Sequence, residues 1–481
     1  MVDTSREQAA PRSGSAGRPE TIGALRASGW RSESVRSEIR RNVLARVAAG
    51  EPVVDGVLGF SETVLPQLEH ALIAGHDVIL LGERGQAKSR VVRSLVGLLD
   101  EWAPVVAGSE INDDPFRPVS RLARDRVAEL GDETPVAWVH RSDRYGEKLA
   151  TPDTSMADLI GEVDPIKVAE GRYLADELTI HFGLVPRSNR GIFAVNELPD
   201  LAERIQVGLL DVLEERDVQI RGHRVRLPVD VLLVATANPE DYTSRGRIIT
   251  PLKDRFGAQI RTHYPTEVAT EVAIVEQEAT AVSGAGVEVD VPSFMAEVVA
   301  RVTQAARASS RIDQRSGVSV RTSVANFETL AAAALRRAVV ADEPVAVPRV
   351  SDLAAIVTST IGKVELEALE EGDESEIVAQ LVASAVREVF RERCPQGPLV
   401  EVVGAFARGE TVEAGPGVAS ESLARATAAI PGLEEAVTAL AGPAPGPGRA
   451  ASAVELVLEG LHLSRRLNKD PVPGGAEYRG R

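Results

Sequence analysis

The run DVILLG at residues 77–82 leads straight into the turn ERGQA and the helix-periodic stretch AKSRVVRSLVGLLDEW. No other feature of the chain limits its fold so tightly. A short apolar run ending in glycine suits a strand buried on both faces of a parallel sheet. Two more such runs follow, GIFAVNE at 191–197 and DVLLVATANP at 230–239, separated by helical stretches such as LAERIQVGLLDVLEER at 201–216. Apolar strands alternating with helices predict an α/β fold around a parallel sheet.

The turn after the first strand keeps the spacing of a phosphate-binding loop, with Gly82, four residues, then Ala87, Lys88 and Ser89. A tight glycine-containing turn before a helix aims backbone N–H groups at phosphate oxygens. The residues that would wrap ATP are Gly82, Glu83, Arg84, Gly85, Gln86, Ala87, Lys88, Ser89 and Arg90. Lys88 would neutralise the β and γ phosphates, and the Ser89 hydroxyl would ligate Mg²⁺. Ala87 stands where the pattern has its second glycine. It fits only with a negative φ or with strain absorbed by its surroundings. The bland alternative is a βα turn with a chance Lys-Ser, and the strand-to-helix context argues against it.

GIFAVNE would deliver a polar pair beside this loop, Asn196 and Glu197. In a Walker B arrangement the first residue holds the Mg²⁺ shell and the second polarises the attacking water. Asn196 can hydrogen-bond a metal-bound water but brings no negative charge. Glu197 keeps a general base available. Asn238, ending the third apolar run, is placed to orient that water. Arg255, in PLKDRFG, is either an arginine finger for a neighbouring subunit's γ-phosphate or a surface arginine paired with Asp254. Arg321, in GVSVRTS, either reaches over the nucleotide or is a solvated helix arginine.

Composition bounds the rest. The 481 residues exceed one ordinary domain. Aromatics are only 4%, so Leu, Val, Ile and Ala must fill the cores. With 54 Lys and Arg against 71 Asp and Glu, the net charge of −17 disfavours non-specific binding to nucleic acid or anionic membrane. Cys394 is the single cysteine and the seven histidines lack ligand spacing, so neither a disulfide nor a Cys or His metal cluster is expected. No apolar run approaches the length of a membrane span, and the N-terminus lacks an apolar signal core; the expectation is a soluble, cytoplasmic protein.

Residues 1–35, rich in Ser, Arg, Gly and Pro, read as a disordered arm. Residues 36–264 read as the α/β core, 265–395 as an all-helical domain and 396–481 as a helical extension broken by GPAPGPG, its last dozen residues frayed.

These signals, in this order, resemble the AAA+ ATPases, and within them the MoxR and magnesium-chelatase ATPase-subunit branch, over roughly residues 45–365. The stretch from DLIGEVDP to the second strand (insert about 156–188) looks like that branch's helix-2 insert. VQIRGHRVRLP at 218–228 reads as its pre-sensor β-hairpin (about 217–228). The resemblance implies a P-loop core followed by a helical lid, with Asn238 as sensor 1 and Arg321 as sensor 2. It also implies a ring, usually a hexamer, with ATP and Mg²⁺ at subunit interfaces. The implied partners are a separate von Willebrand A-domain protein and a protein client. The hairpin arginines Arg221, Arg224 and Arg226 are either solvated charge or a contact for an acidic protein segment or nucleic acid, and nucleic acid is the less expected. The leading reading is a remodelling ATPase; the alternatives are a nucleotide-gated scaffold with little hydrolysis and a metal-chelatase subunit. A σ54-type activator carries a GAFTGA loop, which is absent here.

Overall fold

The computed structural model describes residues 17–163, 179–214, 218–219, 226–238, 247–314, 316–365 and 373–481. The chain divides at Thr262 and His263 into two compact units, and the loop tip Glu83–Gln86 groups with the second.

The first unit is built on a five-stranded sheet. Its strands are β1 (Val78–Leu81), β2 (Tyr145–Leu149), β3 (Gly191–Asn196), β4 (Val231–Ala237) and β5 (Ala258–Arg261). They lie in the order β5-β1-β4-β3-β2, all parallel. Strand alternation sends successive side chains to opposite faces. Val78, Leu80, Ile192, Ala194, Leu232 and Val234 pack with Val35, Ile39, Leu68, Val91 and Leu95 on one face. Ile79, Leu81, Phe193, Val195, Leu233 and Ala235 pack with Leu198, Ile205, Leu209 and Phe256 on the other. Every residue of β1, β3 and β4 is buried. That is why these three strands read as apolar runs.

The edge strands β2 and β5 carry no such run, and sequence reading missed them. YGEKL and AQIR each pair on one side only and stay partly exposed, so polar residues are tolerated there. Also missed was the antiparallel pair Trp102–Val106 with Val136–His140. The helix expected across 87–102 is shorter: it spans Lys88–Ser94, passes into a 3-10 turn at Leu95–Leu98, and Trp102 already opens a strand. Gly97 in that turn is a poor helix former.

The expected arm at 1–35 needs correction over its second half. Ile22–Ala27 is a helix capped by the Thr21 hydroxyl, and Ile22 and Leu25 are buried beside Val136. The Trp30 and Phe116 rings stand 5.2 Å apart. Two apolar positions and one tryptophan within a polar stretch are enough to dock it. In the insert, Gly161–Val163 pairs antiparallel with Ile180–Phe182. Of the hairpin, Val218–Gln219 pairs with Arg226–Leu227. Arg221, His223 and Arg224 lie outside the described residues.

The second unit is helical, with helices at Val268–Glu278, Ser293–Ala308, Val320–Val340, Asp373–Arg393, Gln396–Ala407 and Pro447–Leu463 among others. It is not all helix. Glu288–Val289 and Val345–Ala346 form a short parallel pair. Thr411–Ala414, Asn468–Val472 and Gly475–Arg479 form an antiparallel sheet. The last dozen residues are therefore a hairpin and not a frayed end. Gly474 turns it at φ 86°, and Ala476 and Tyr478 are buried on alternate positions. No division falls at 395/396, because one core runs from Phe294 to Tyr478. Among the described residues, no helix is long and apolar enough to cross a membrane.

Candidate nucleotide-binding site

The C-terminal ends of β1, β3 and β4 bring four sequence-predicted residues of the first unit together. Gly82 continues β1, its N–H donating to the Ala237 carbonyl at 3.1 Å. Gly85 takes φ 75°, as a tight loop requires. The Gln86 side chain braces the turn by accepting from the Glu83 N–H at 3.0 Å. Ala87 has φ 54°, so strain is present at this position and the loop absorbs it. Helix Lys88–Ser94 starts at once.

Lys88 is buried. Its ammonium donates to the Gly82 carbonyl at 2.5 Å and to Asn238 Oδ1 at 2.8 Å. Asn238 Nδ2 in turn donates to Glu197 Oε2 at 2.9 Å. An ammonium only donates and a carboxylate only accepts, so this pattern sets the amide orientation of Asn238. Glu197 sits just past β3 with φ 55°, a left-handed turn that bends the chain away from the strand direction. Its N–H donates to the Thr236 hydroxyl at 3.1 Å, and that hydroxyl donates to Asn196 Oδ1 at 3.3 Å. Lysine, amide and carboxylate thus form one hydrogen-bonded chain.

Asn196, buried at the end of β3, donates through Nδ2 to Glu147 Oε1 at 2.5 Å. Glu147 projects from β2 and is gripped by Arg93 of the loop helix, whose Nε lies 2.9 Å from Oε2 and Nη2 3.0 Å from Oε1. Burial alone would raise the Glu147 carboxyl. The Arg93 guanidinium, with the Tyr145 hydroxyl and the Asn196 amide, more than offsets this and holds it below the usual carboxylate range. Sequence reading missed Glu147, Arg93 and Thr236. Thr236 sits in the apolar alternation of VLLVATANP. Nothing in YGEKL marks a site residue, because only the parallel pairing of β2 with β3 brings Glu147 to Asn196.

The two residues expected on the metal side would offer oxygen only: the Ser89 hydroxyl and the Asn196 amide oxygen. Hard oxygens suit Mg²⁺, which keeps waters and takes phosphate oxygens in place of a full protein cage. Among the described residues no cluster of three or more His, Cys, Asp or Glu could hold a metal by itself. Arg255 ends helix Thr250–Arg255 and pairs with its neighbour Asp254 at 3.3 Å. Arg321 belongs to the second unit, exposed in the first turn of helix Val320–Val340.

The magnesium-chelatase subunit ChlI of Anabaena variabilis is 32% identical over 206 residues, covering 42% of this chain and 56% of that protein. The chloroplastic subunit ChlI-1 of Arabidopsis thaliana is 30% identical over 259 residues, covering 50% and 58%. Over part of its length the chain is thus similar to the AAA+ subunits of magnesium chelatase. It spans a little over half the length of these relatives. The family model described as the Sigma-54 interaction domain matches residues 169–255, from the insert through β3 and β4 to Arg255. A cryo-EM-based model of the BchI–BchD complex of magnesium chelatase aligns over 67% of this chain and 97% of that one, at 20% identity and a TM-score of 0.34.

Proposed function

We propose that this chain binds ATP with Mg²⁺ and hydrolyses it as a ring-forming AAA+ motor, most simply a hexamer, that remodels a protein client together with a separate von Willebrand A-domain protein. The observation that carries the ATPase reading is the chain Lys88–Asn238–Glu197. Two of the oxygens to which Lys88 donates, those of Gly82 and Asn238, are neutral, and a phosphate oxygen, being charged, is a stronger partner than either. Glu197, which accepts from Asn238, would take a proton from water attacking the γ-phosphate. Bound Mg²⁺ would spread the phosphate charge, held from the protein side by Ser89 and, through water, Asn196. Arg255 would act across a subunit interface and Arg321 from the helical unit, each as stabilisers of γ-phosphate charge. The ring, the partner, the client and a cytoplasmic setting rest on the family resemblance.

The test is turnover. Glu197→Gln should bind ATP and lose about 100-fold or more in hydrolysis, while Lys88→Ala should lose binding. A Glu197→Gln protein that hydrolyses ATP at the parental rate would remove Glu197 from this role.

A second reading, a nucleotide-gated scaffold, draws support from the strained Ala87 and the uncharged Asn196. Steady hydrolysis by the purified protein that Lys88→Ala abolishes would reject it. The names of the relatives favour a third, the ATPase subunit of a metal chelatase. Stimulation of metal insertion by a large chelatase subunit would support it.

A further inference from the structure

The charge missing from position 196 has a counterpart on the neighbouring strand. Ser89 and Arg93 are four residues apart on the loop helix, so they share one face of it. Asn196 falls in strand alternation with Ile192 and Ala194, which face the core packed by Val91 and Leu95 around that helix. Glu147 is paired in register with Ala194 and Leu149 with Asn196. Helix and strands thus gather Ser89, Arg93, Glu147 and Asn196 on the same side of the sheet.

The Glu147 carboxylate is fully engaged. Oε1 accepts from Asn196 Nδ2 and Arg93 Nη2, and Oε2 accepts from Arg93 Nε and the Tyr145 hydroxyl at 3.1 Å. A carboxylate accepts and cannot donate, so the NH₂ of Asn196 must face it and the amide oxygen must face the other way, toward Thr236. An aspartate at 196 would set two carboxylates at hydrogen-bond distance, where both cannot stay ionised without cost.

We propose that Glu147 is the positioning residue for the metal side of the site: it fixes the Asn196 amide oxygen as the acceptor for a Mg²⁺-bound water and sets a carboxylate, ion-paired with Arg93, beside the position that lacks one. Residues 147 and 196 then act as one unit, with the carboxylate moved one strand outward. Arg93 holds that carboxylate in place from the loop helix. This rests on the nucleotide reading above.

The experiment measures binding of a fluorescent ATP analogue to the full chain as Mg²⁺ is titrated, with a parallel arm in EDTA. Glu147→Gln should raise the Mg²⁺ midpoint about tenfold or more, as loss of an outer partner does at metal sites, and leave binding in EDTA unchanged. Asn196→Asp alone, although it rebuilds the usual acidic pair, should also raise the midpoint. Asn196→Asp combined with Glu147→Gln keeps the net charge and should bring the midpoint back toward the parental value. The proposal fails if Glu147→Gln leaves the midpoint in place or weakens binding in EDTA equally. It fails if Asn196→Asp alone lowers the midpoint, or if the double variant is as impaired as the worse single one. Failure of the nucleotide reading looks different: the parent would not bind the analogue, or Lys88→Ala would bind it as tightly.

Discussion

Ala87 shows how a single residue can keep a motif while straining it. At φ 54° its Cβ meets the following carbonyl, at a cost of about 1–2 kcal/mol relative to a right-handed residue. Glycine would remove that cost and add back about 0.5–1 kcal/mol of unfolded-chain entropy. Ala87→Gly should therefore stabilise the first unit by about 0.5–1 kcal/mol. A urea melt checks this, as a higher midpoint at unchanged slope. An unchanged or lower midpoint would mean that the loop has relaxed around the alanine. Asn196, Glu197 and Asn238 were legible in the sequence because each sits at the end of a buried apolar run, and Lys88 because it opens the helix after the turn that follows one. Glu147 was not legible. Its role comes from a neighbour 49 positions away in the chain.

Among the elements, helix Val35–Ala49 shows what ties a helix to the sheet. Ser34 caps its start and Gly50, at φ 68°, ends it. Glu38 in its first turn is buried and takes both ends of the buried Arg144 guanidinium, at 2.9 and 2.6 Å, as well as the Asp100 N–H at 2.7 Å. Arg144 also donates to the Arg190 carbonyl at 2.7 Å, at the mouth of β2 and β3. Removing one member of such a pair leaves an uncompensated buried charge. Glu38→Ala should cost about 3–5 kcal/mol, read from the denaturation midpoint. A loss below about 1 kcal/mol, the size expected of an exposed pair, would show that water reaches Arg144. The helix expected at 201–216 was predicted within a few residues, at Glu203–Glu214. The edge strands were not, because their polar composition reflects their position in the sheet.

At the scale of the whole molecule, the C-terminal 86 residues expected as a separate extension share one core with the helices before them. A charge network lies inside that unit. Glu343 accepts from the Ser420 N–H at 2.8 Å, from Arg349 at 3.2 Å and from Arg337 at 3.1 Å. Burial pushes its carboxyl up. The Ser420 hydrogen bonds, then Arg349 and Arg337, outweigh burial and hold it below its ordinary value. A carboxyl lowered in the fold adds stability that is present above its unfolded value, about 4.3. That stability is lost as pH falls through the folded value. Glu343→Gln should lower stability at neutral pH and flatten the acid limb of the second unit's unfolding profile below about pH 4.3. An equally steep acid limb in the variant would assign acid lability to other groups.

Read alone, the amino-acid order was enough for the α/β class, the tight turn between β1 and its helix, the meeting of Lys88, Asn238 and Glu197, and the helical nature of the second half. Each of these is written in local pattern: apolar runs, helical periodicity, and glycine at a turn. Folding in three dimensions was needed to show where the edge strands lie, that residues 22–27 dock, that residues 468–479 close as a hairpin, and that Glu147 meets Asn196. Those outcomes depend on which distant segments pair, and pairing across a sheet leaves no mark in the spacing of neighbouring residues.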